Sequence, residues 1–284
     1  MAKIAVTGAN GFLGKVLLPL LEDAGHQVIP VTRDNGYDIT DWQQVKDLDG
    51  FEVLIHLAAK SFIPDAYSDP RAFYDTNVNG TLNMLELARI HKARFLFISS
   101  YVYGHPDYMP IDEQHPLKAV NPYAESKLIA ENLCKAYHRD FGLDVMIFRP
   151  FNIYGPMQPA HFLVRKMIQQ VLDGKTVELF DIRPKRDYIH VLDVARALLA
   201  GVQYKGEELE VFNLGSGRSY AIPEILEILE TIIEKKIDVT YLNQVRPNEI
   251  MDTVCDNNRA KTVLNWEPTI TFAAGLKEMI QQHK

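Results

Sequence analysis

Residues Thr7-Gly8-Ala9-Asn10-Gly11-Phe12-Leu13-Gly14 decide the fold that this sequence predicts. They follow the apolar run Lys3–Val6, which predicts a strand, and they open the amphipathic stretch Phe12–Ala24, which predicts a helix. Glycines in that position permit a tight turn and the close approach of a pyrophosphate to the helix N-terminus. The spacing GxxGxxG is one residue longer in its first gap than the GxGxxG of many dinucleotide folds. The turn therefore predicts a dinucleotide site, and a loop that serves only chain reversal is the alternative.

Short apolar runs alternate with helical patterns through the first half of the chain. Further strands are predicted at Gln27–Val31, Val53–Leu57, Arg94–Ile98 and Val145–Phe148, and helices at Thr81–Arg89 and Pro122–Phe141. Strands spaced by helices indicate parallel βαβ units and hence an α/β fold with a doubly wound parallel sheet. We expect a dinucleotide-binding domain in residues 1–150, completed by about 187–212, and a smaller α/β region in 151–284.

Composition excludes several classes of protein. The 284 residues carry 30 Lys+Arg and 37 Asp+Glu, a net charge of −7 with no basic block, which argues against nucleic acid as a partner. The two cysteines, Cys134 and Cys255, lie far apart, and the histidines show no metal-ligand spacing, so neither a disulfide scaffold nor a metal site is predicted. No apolar run reaches the roughly 18 residues of a membrane helix, and the N-terminus has no signal-peptide core. We expect a soluble, cytoplasmic protein.

The end of the second predicted strand bears on the choice of cofactor. An acidic residue there accepts the ribose 2′-hydroxyl of NAD. This chain has Thr32 at that position, followed by Arg33, whose guanidinium suits the 2′-phosphate of NADP. The sequence therefore favours NADP(H), with NAD(H) as the alternative.

A tyrosine–lysine pair opens the long predicted helix. Tyr123 and Lys127 are four residues apart and so share one helical face, where the ammonium is expected to lower the pKa of the phenol. Ser99 and Ser100 end a predicted strand at the carboxyl edge of the sheet, where ligands bind in open α/β folds. A serine hydroxyl at that edge can hold the oxygen of a carbonyl or an alcohol. The sequence thus predicts an acid–base site.

These motifs, taken together, resemble the extended short-chain dehydrogenases/reductases, the NAD(P)-dependent epimerase/dehydratase family that acts on nucleotide sugars. The resemblance runs almost end to end, through TGANGFLG at 7–14, VLIHLAAK at 53–60, NVNGTLNMLE at 77–86, SSYVYG at 99–104, PYAESK at 122–127, FRPFNIYGP at 148–156, RDYIHVLDVA at 186–195, FNLGSG at 212–217 and RPNE at 246–249. It implies a Rossmann-type fold with a smaller C-terminal substrate-binding region and, through the helices around 81–91 and 124–141, a homodimer.

The resemblance also implies roles for particular residues. Ser99 matches the catalytic hydroxyl, with Ser100 as the fallback, and both serines are expected to contact the substrate. Tyr123 exchanges the proton and also contacts the cofactor, and Lys127 completes the catalytic set and binds the nicotinamide ribose. The remaining dinucleotide contacts are expected from Gly8, Gly11, Phe12, Leu13, Gly14, Thr32, Arg33, Asp38, Ile39, Leu57, Ala58, Ala59, Lys60 and Asn77. The nucleotide-sugar phosphates are expected to contact Asn152, Arg186 and Arg246, because paired guanidiniums fit a diphosphate.

The family includes epimerases, dehydratases, decarboxylases and ketoreductases, so the reaction must be argued from the site. The acids that dehydratases and decarboxylases use after the catalytic hydroxyl are replaced here by Ser100 and Tyr101. Epimerases of the family retain NAD, which an acidic residue at position 32 would favour. Because this position is Thr32, an epimerase is disfavoured. The sequence therefore predicts NADPH-dependent reduction of a nucleotide-linked keto sugar, with a 4-keto-6-deoxyhexose as the expected substrate. A nucleotide-sugar 4-epimerase and a non-catalytic dinucleotide sensor are the alternatives.

Overall fold

The structure is a computed structural model that describes residues 1–206, 208–242, 244 and 248–282. Its strands are β1 Lys3–Thr7, β2 Gln27–Val31, β3 Val53–His56, β4 Arg94–Ile98, β5 Val145–Pro150, β6 Asn152–Tyr154, β7 Val177–Leu179, β8 Lys185–His190, β9 Glu210–Leu214, β10 Ser219–Ala221 and β11 Val239–Tyr241. Its α-helices are α1 Phe12–Asp23, α2 Trp42–Val45, α3 Ile63–Ser68, α4 Pro70–Tyr74, α5 Gly80–His91, α6 Pro122–Phe141, α7 Leu163–Leu172, α8 Val191–Gln203, α9 Ile222–Ile233, α10 Asn258–Leu264 and α11 Phe272–Gln281.

The central sheet has six parallel strands in the order β2-β1-β3-β4-β5-β9. The chain starts in the middle of this sheet, adds β2 on one side, and then crosses to β3 on the other side. Thr7 at the end of β1 is therefore paired with His56 at the end of β3. Open α/β sheets bind ligands at such a reversal, outside the carboxyl ends of the strands.

Two apolar layers cover the sheet. On one face α1 and α8 pack their buried leucines, including Leu17 and Leu198, against β1 and β3. On the other face α5 and α6 pack Leu85 and Ala130 against the phenylalanines of β4. Both faces of the strands are buried, which explains why β3 reads as a continuous apolar run and not as an alternating one. This architecture confirms the predicted doubly wound α/β fold.

The chain after Pro150 serves two structures. β9 adds the sixth strand to the central sheet beside β5, and α8 packs on the face of that sheet. β6, β8 and β10 form a separate small sheet, β7 pairs with β11, and α7, α9 and α11 surround a third apolar cluster. Within the described part of the chain, no helix combines the length and the apolar character needed to cross a membrane.

Candidate active site

A cleft of about 1840 Å³ opens at the carboxyl ends of β1, β3 and β4. It exceeds the roughly 300–1000 Å³ of a site for one small ligand, so it has room for a dinucleotide and a second molecule. Most of the predicted site residues line it: Gly8, Gly11, Phe12, Leu13, Gly14, Thr32, Arg33, Asp38, Ile39, Leu57, Ala58, Ala59, Lys60, Ser99, Ser100, Tyr123, Lys127, Asn152 and Arg186. The predicted phosphate ligand Arg246 lies outside the described residues.

The glycine turn brings three backbone segments close together. Gly8 has a φ of 67°, and a Cβ on it would lie 2.8 Å from the Ala58 nitrogen. A Cβ on Gly14 would lie 2.4 Å from the Ala9 carbonyl oxygen, so any side chain there would separate α1 from the turn. α1 begins after Gly11 without a side-chain cap and without an acidic residue in its first turn. Such a helix N-terminus directs unpaired N–H groups at the cleft and therefore fits the pyrophosphate of a dinucleotide.

A buried chain of hydrogen bonds fixes the loop that follows β3. The Thr7 hydroxyl oxygen accepts hydrogen bonds from the backbone nitrogens of Leu57 and Ala58, each at 3.1 Å. Its own proton is then free to be donated to His56 Nδ1 at 2.7 Å, and His56 Nε2 lies 3.0 Å from the Thr81 hydroxyl. Burial lowers the pKa of His56 to about 3, so the imidazole is neutral. These bonds hold the loop beside the glycine turn in one conformation.

Asn77 extends this scaffold and does not face the cleft. Its side chain is fully buried, accepts from the Lys60 nitrogen at 2.9 Å, and donates to the Lys60 oxygen at 3.0 Å and to Ser126 Oγ at 2.9 Å. Ser126 Oγ in turn donates to the Tyr123 carbonyl oxygen at 2.7 Å. The expectation that Asn77 faces the dinucleotide is corrected: its polar atoms are used to join the cleft loop to the start of α6.

Helix α6 presents Tyr123 and Lys127 on one face. It begins at Pro122, whose missing N–H costs nothing at a first helical position, and the Asn121 side chain caps it by accepting from the Ala124 nitrogen at 2.8 Å. Tyr123 is half-buried, whereas Lys127 is 2% exposed and its Nζ lies 4.2 Å from the centre of the Phe97 ring.

The protonation states of this pair differ from the sequence-based expectation. Burial lowers the pKa of Lys127 to about 7, and burial also raises the pKa of Tyr123. The Ser100 side chain opposes the rise at Tyr123. The pKa of Tyr123 is therefore raised, contrary to the lowering expected from its spacing to Lys127, because loss of hydration is the largest cause.

The two serines after β4 point in different directions. Ser99 is 2% exposed, and its hydroxyl donates to Glu131 Oε1 at 2.6 Å. Ser100 is half-buried, lines the cleft, and interacts with the Tyr123 side chain. The geometry thus favours Ser100, the fallback, over Ser99 as the hydroxyl that meets a ligand, because the Ser99 hydroxyl already has a buried acceptor.

The edge of the cleft beyond β2 carries an exposed cation. Thr32 turns its hydroxyl back to accept from the Asn35 nitrogen at 3.3 Å, whereas Arg33 is exposed and lines the cleft. Asp34 beside it is also exposed, and one carboxylate oxygen accepts from Asn10 Nδ2 of the glycine turn at 2.8 Å. Both a guanidinium and a carboxylate therefore stand at this edge.

Asp38 and Ile39 form the adjoining wall. One oxygen of Asp38 accepts from the nitrogen of Thr40 at 3.0 Å and from its hydroxyl at 2.8 Å, and the backbone hydrogen bond is the main cause that lowers the Asp38 pKa. Ile39 is buried against Gly80, where a Cβ would lie 2.6 Å from its Cδ1. This wall is held by its own contacts and is rigid before any ligand binds.

On the opposite side of the cleft, Arg186 is held by groups of the chain itself. Its Nη1 donates to the Ile250 carbonyl at 2.6 Å, and its Nη2 forms an ion pair with Glu249. Asn152 donates from Nδ2 to the Asp187 carbonyl oxygen at 3.1 Å. The guanidinium and the amide thus lie on neighbouring strands, β8 and β6, and both line the cleft.

Asp187 is a buried residue that joins three segments behind Arg186, and sequence analysis missed it. One carboxylate oxygen accepts from the nitrogen and the hydroxyl of Ser216, both at 2.7 Å, and the other accepts from the nitrogens of Gly217 at 2.9 Å and Cys255 at 3.0 Å. Burial raises the Asp187 pKa to about 6, and these hydrogen bonds oppose the rise. An acid directly after the predicted phosphate ligand and at the start of a buried strand is the signal that sequence analysis overlooked.

Aromatic side chains form part of the remaining wall. The ring of Phe62 lies 4.2 Å from that of His161 and 6.1 Å from that of Phe162, centre to centre, and all three residues line the cleft. Tyr101 also lines it and donates its hydroxyl proton to the Gly104 carbonyl at 2.7 Å. Sequence analysis did not identify the first three, because nothing along the chain brings residue 62 next to 161.

The fold and the site together define a Rossmann-type α/β protein whose cleft has room for a dinucleotide and a second molecule. The profile of the family described as "NAD dependent epimerase/dehydratase family" matches residues 4–215. The chain belongs to this family, whose members are enzymes, as the resemblance in sequence predicted.

Relatives with established names include both epimerases and a reductase. The UDP-glucuronate 4-epimerase of Thermodesulfobacterium geofontis is 34% identical over 100% of this chain and 97% of its own length. The GDP-6-deoxy-D-mannose reductase of Pseudomonas aeruginosa is 32% identical over 98% of this chain and 96% of its own length. The solved structure of RMD from Pseudomonas aeruginosa complexed with NADPH has a TM-score of 0.90 at 31% identity and covers 99% of this chain and 98% of that chain. The chain is therefore similar throughout to nucleotide-sugar epimerases and reductases.

Proposed function

We propose that this chain is an NADPH-dependent reductase of a nucleotide-linked keto sugar, with a 4-keto-6-deoxyhexose as the substrate class. The observation that carries the proposal is Arg33, which stands exposed at the cleft edge where Thr32 replaces the expected acid. A guanidinium there suits a 2′-phosphate. The reductase relative and the NADPH complex named above support the same assignment.

In this proposal residues 1–150, completed by about 187–212, bind the dinucleotide, and residues 151–284 bind the nucleotide sugar. The glycine turn and the uncapped start of α1 fit the pyrophosphate, and Arg186 with Asn152 faces the sugar diphosphate. The nicotinamide of the bound cofactor supplies the hydride.

The chain's own residues then handle the oxygen of the substrate. Ser100 donates a hydrogen bond to the ketone oxygen and polarises the carbonyl, and Tyr123 gives that oxygen a proton as it becomes an alcohol. The raised pKa of Tyr123 keeps the phenol protonated, as a general acid requires. Lys127 holds the nicotinamide ribose.

A panel of dTDP-, GDP-, CDP- and UDP-linked 4-keto-6-deoxy sugars tests the proposal. We expect loss of absorbance at 340 nm with NADPH, faster than with NADH, and formation of the C4 alcohol. The alternative is a UDP-sugar 4-epimerase, favoured by the 34% identity to an epimerase and by the Asp34 carboxylate at the cleft edge. Tightly bound NAD and interconversion of C4 epimers without net use of cofactor would establish that alternative.

Tyr123→Phe tests the proton donor. We expect kcat to fall about 10³-fold, within the range for general acid–base catalysis, while NADPH binds with unchanged affinity because the phenol oxygen is not needed to hold the ring. Tyr137→Phe, further along α6, is the matched control and should keep full activity. Equal kcat values for the two variants would exclude Tyr123 as the proton donor.

We also infer a homodimer through α5 and α6. Leu82, Ile90 and Phe141 on these helices are 38%, 49% and 58% exposed, an apolar face that a second copy would cover. Light scattering in solution distinguishes the dimer from a monomer, and a monomer at micromolar concentration would contradict the inference. Cytoplasmic location stays a prediction from the sequence.

A further inference from the structure

A buried ion pair lies beneath the reacting end of the cleft, and the reaction steps above do not use it. Glu131 follows Lys127 by four residues on α6, so Tyr123, Lys127 and Glu131 share one helical face. Glu131 is 0% exposed and its partner Arg149, on β5, is 2% exposed. Charges this deep are retained only when they are paired and hydrogen-bonded.

The pair is bidentate and fully hydrogen-bonded. Arg149 donates from Nε to Glu131 Oε1 at 2.9 Å and from Nη2 to Oε2 at 2.6 Å. Its Nη1 donates to the Tyr103 hydroxyl oxygen at 2.9 Å, and Tyr103 donates to Asn213 Oδ1 at 2.5 Å. The network links α6 to β5 and β9 and leaves little freedom to the Glu131 carboxylate.

Glu131 reaches the cleft through Ser99. The Ser99 hydroxyl donates to Glu131 Oε1 at 2.6 Å, and the Ser99 nitrogen continues the sheet by donating to the Phe148 carbonyl at 2.8 Å. Successive side chains of a sheet-paired segment point to opposite sides. With Ser99 fixed toward Glu131, the next residue, Ser100, is turned toward Tyr123.

Glu131 also acts on Lys127 through its charge. Lys127 faces Glu131 and the Cys134 thiol from α6, neutral His56 from β3, and the Phe97 ring from β4. Burial lowers the Lys127 pKa, and the Glu131 carboxylate opposes that fall.

The charges that face Glu131 itself come from two elements. Arg149 lies on β5, and Lys135 of α6 is 3.7 Å away and partly exposed. Both cations pair with the Glu131 carboxylate, and Glu131 lies one helical turn from Lys127 on α6.

We propose that Glu131, held by Arg149, is a positioning residue with two effects: through Ser99 it aims the Ser100 hydroxyl at the substrate oxygen, and through its charge it favours the ammonium form of Lys127. The role rests on the proposed function for the identity of the substrate oxygen. Its effect on Lys127 concerns cofactor binding and holds for a reductase and an epimerase alike.

Three variants separate the two effects: Glu131→Gln removes the charge, Ser99→Ala removes only the anchor, and Glu125→Gln, exposed on the same helix, is the matched control. For Glu131→Gln we expect kcat to fall at least about tenfold with KM within about threefold, because positioning acts on the reacting oxygen and not on substrate affinity. The affinity for NADPH should fall at alkaline pH as Lys127 loses its proton, and we call this fall the alkaline limb. In Glu131→Gln the alkaline limb should move to lower pH by at least about half a unit, since the carboxylate that favours the Lys127 ammonium is gone. Ser99→Ala should lower kcat about threefold to tenfold and leave this limb in place.

Fluorescence titration of NADPH from pH 6 to 9 measures the limb without turnover. If the wild-type protein binds NADPH but reduces no keto sugar, the proposed function fails, and the limb in Glu131→Gln still decides the role of Glu131. If Glu131→Gln does not fold, the double variant Glu131→Gln/Arg149→Met removes both buried charges and should fold. In the double variant kcat should stay low, because the anchor of Ser99 is still missing. The alkaline limb of NADPH affinity should return toward wild type, because the Arg149 charge is removed together with the Glu131 charge. The proposal would be overturned if Glu131→Gln, or the double variant in its place, matched Glu125→Gln in both kcat and the pH dependence of NADPH affinity.

Discussion

The two sides of the cleft are built by different means. The side of the cleft that we propose for the dinucleotide, called the dinucleotide side below, stands on the six-stranded sheet and is fixed by neutral groups: glycine backbone, the buried Thr7–His56–Thr81 chain and buried Asn77. The side that we propose for the nucleotide sugar, called the sugar side below, stands on β6 and β10, strands of three residues, and on β8, with the Arg186–Glu249 ion pair at the cleft.

This difference indicates which side is able to change its ligand. Neutral hydrogen bonds in a buried network form only in one arrangement, so the dinucleotide side is pre-organised. The Arg186–Glu249 ion pair is partly exposed at the cleft, so an incoming anion competes with Glu249 for Arg186. A common cofactor and varied sugars are what such a division allows, and the relatives named above include enzymes named for a UDP-sugar and for a GDP-sugar.

The largest expected effect tests whether Arg186 contributes to the sugar side alone. For Arg186→Ala we expect KM for the nucleotide sugar to rise about 30- to 100-fold, since hydrogen bonds to charged groups contribute about 1.5–3 kcal/mol. The affinity for NADPH should stay within about twofold. Arg218→Ala, an exposed arginine paired with Glu224, is the control and should change neither quantity. A parallel loss of NADPH affinity would show that the two sides are one unit.

The rigidity of the dinucleotide side is measurable as a pH dependence of stability. His56 has a folded pKa of about 3, below its unfolded value of about 6.5, so the folded state binds fewer protons. Its contribution is complete above pH 6.5 and is lost as the pH falls toward 3. Between pH 7 and pH 5 the free energy of unfolding should fall by about 2 kcal/mol more in wild type than in His56→Gln.

Urea denaturation at the two pH values measures this difference. His26→Gln, which alters a half-buried histidine near the N-terminus, should retain the wild-type pH dependence. If the free energy of unfolding changed equally with pH in wild type and His56→Gln, the buried network would not depend on a neutral imidazole.

The smallest expected effect lies at the edge of the dinucleotide side, where the wall is exposed and charged. Arg33→Ala should reduce the preference for NADPH over NADH about tenfold, equivalent to about 1.4 kcal/mol, because one exposed charge contact is lost. Arg71→Ala, an exposed arginine of α4, serves as the control. An unchanged ratio of kcat/KM values would remove Arg33 from the cofactor site and favour the carboxylate of Asp34.

Much of the fold follows from local sequence. The glycine turn, the Asn121-Pro122 start of α6 and its end before Gly142, which has a φ of 65°, all act within a few residues. Their positions were therefore predictable within one or two residues. The return of β9 to the central sheet was harder to place, because a strand of five residues carries no signal for the sheet that it joins.

Side-chain direction was the part of the site that sequence did not determine. Ser99 and Ser100 are chemically identical, and only the carboxylate of Glu131, contributed by another element, distinguishes them. The spacing of Tyr123, Lys127 and Glu131 carried a signal, since Glu131 is a third titratable residue on the same helical face. The protonation of Tyr123 depends on hydration, which a linear motif does not encode.

The ion pair of Arg186 with Glu249 gives the free protein a carboxylate where a phosphate is expected to bind. An incoming anion must displace the Glu249 carboxylate from Arg186. Its binding free energy is therefore only the difference between its own interaction with Arg186 and that of Glu249. Small singly charged anions such as chloride or acetate gain almost nothing from this exchange, whereas a diphosphate brings two charges and several acceptor oxygens. The Glu249 carboxylate thereby makes the site selective for anions of higher charge, independently of any contact with the sugar.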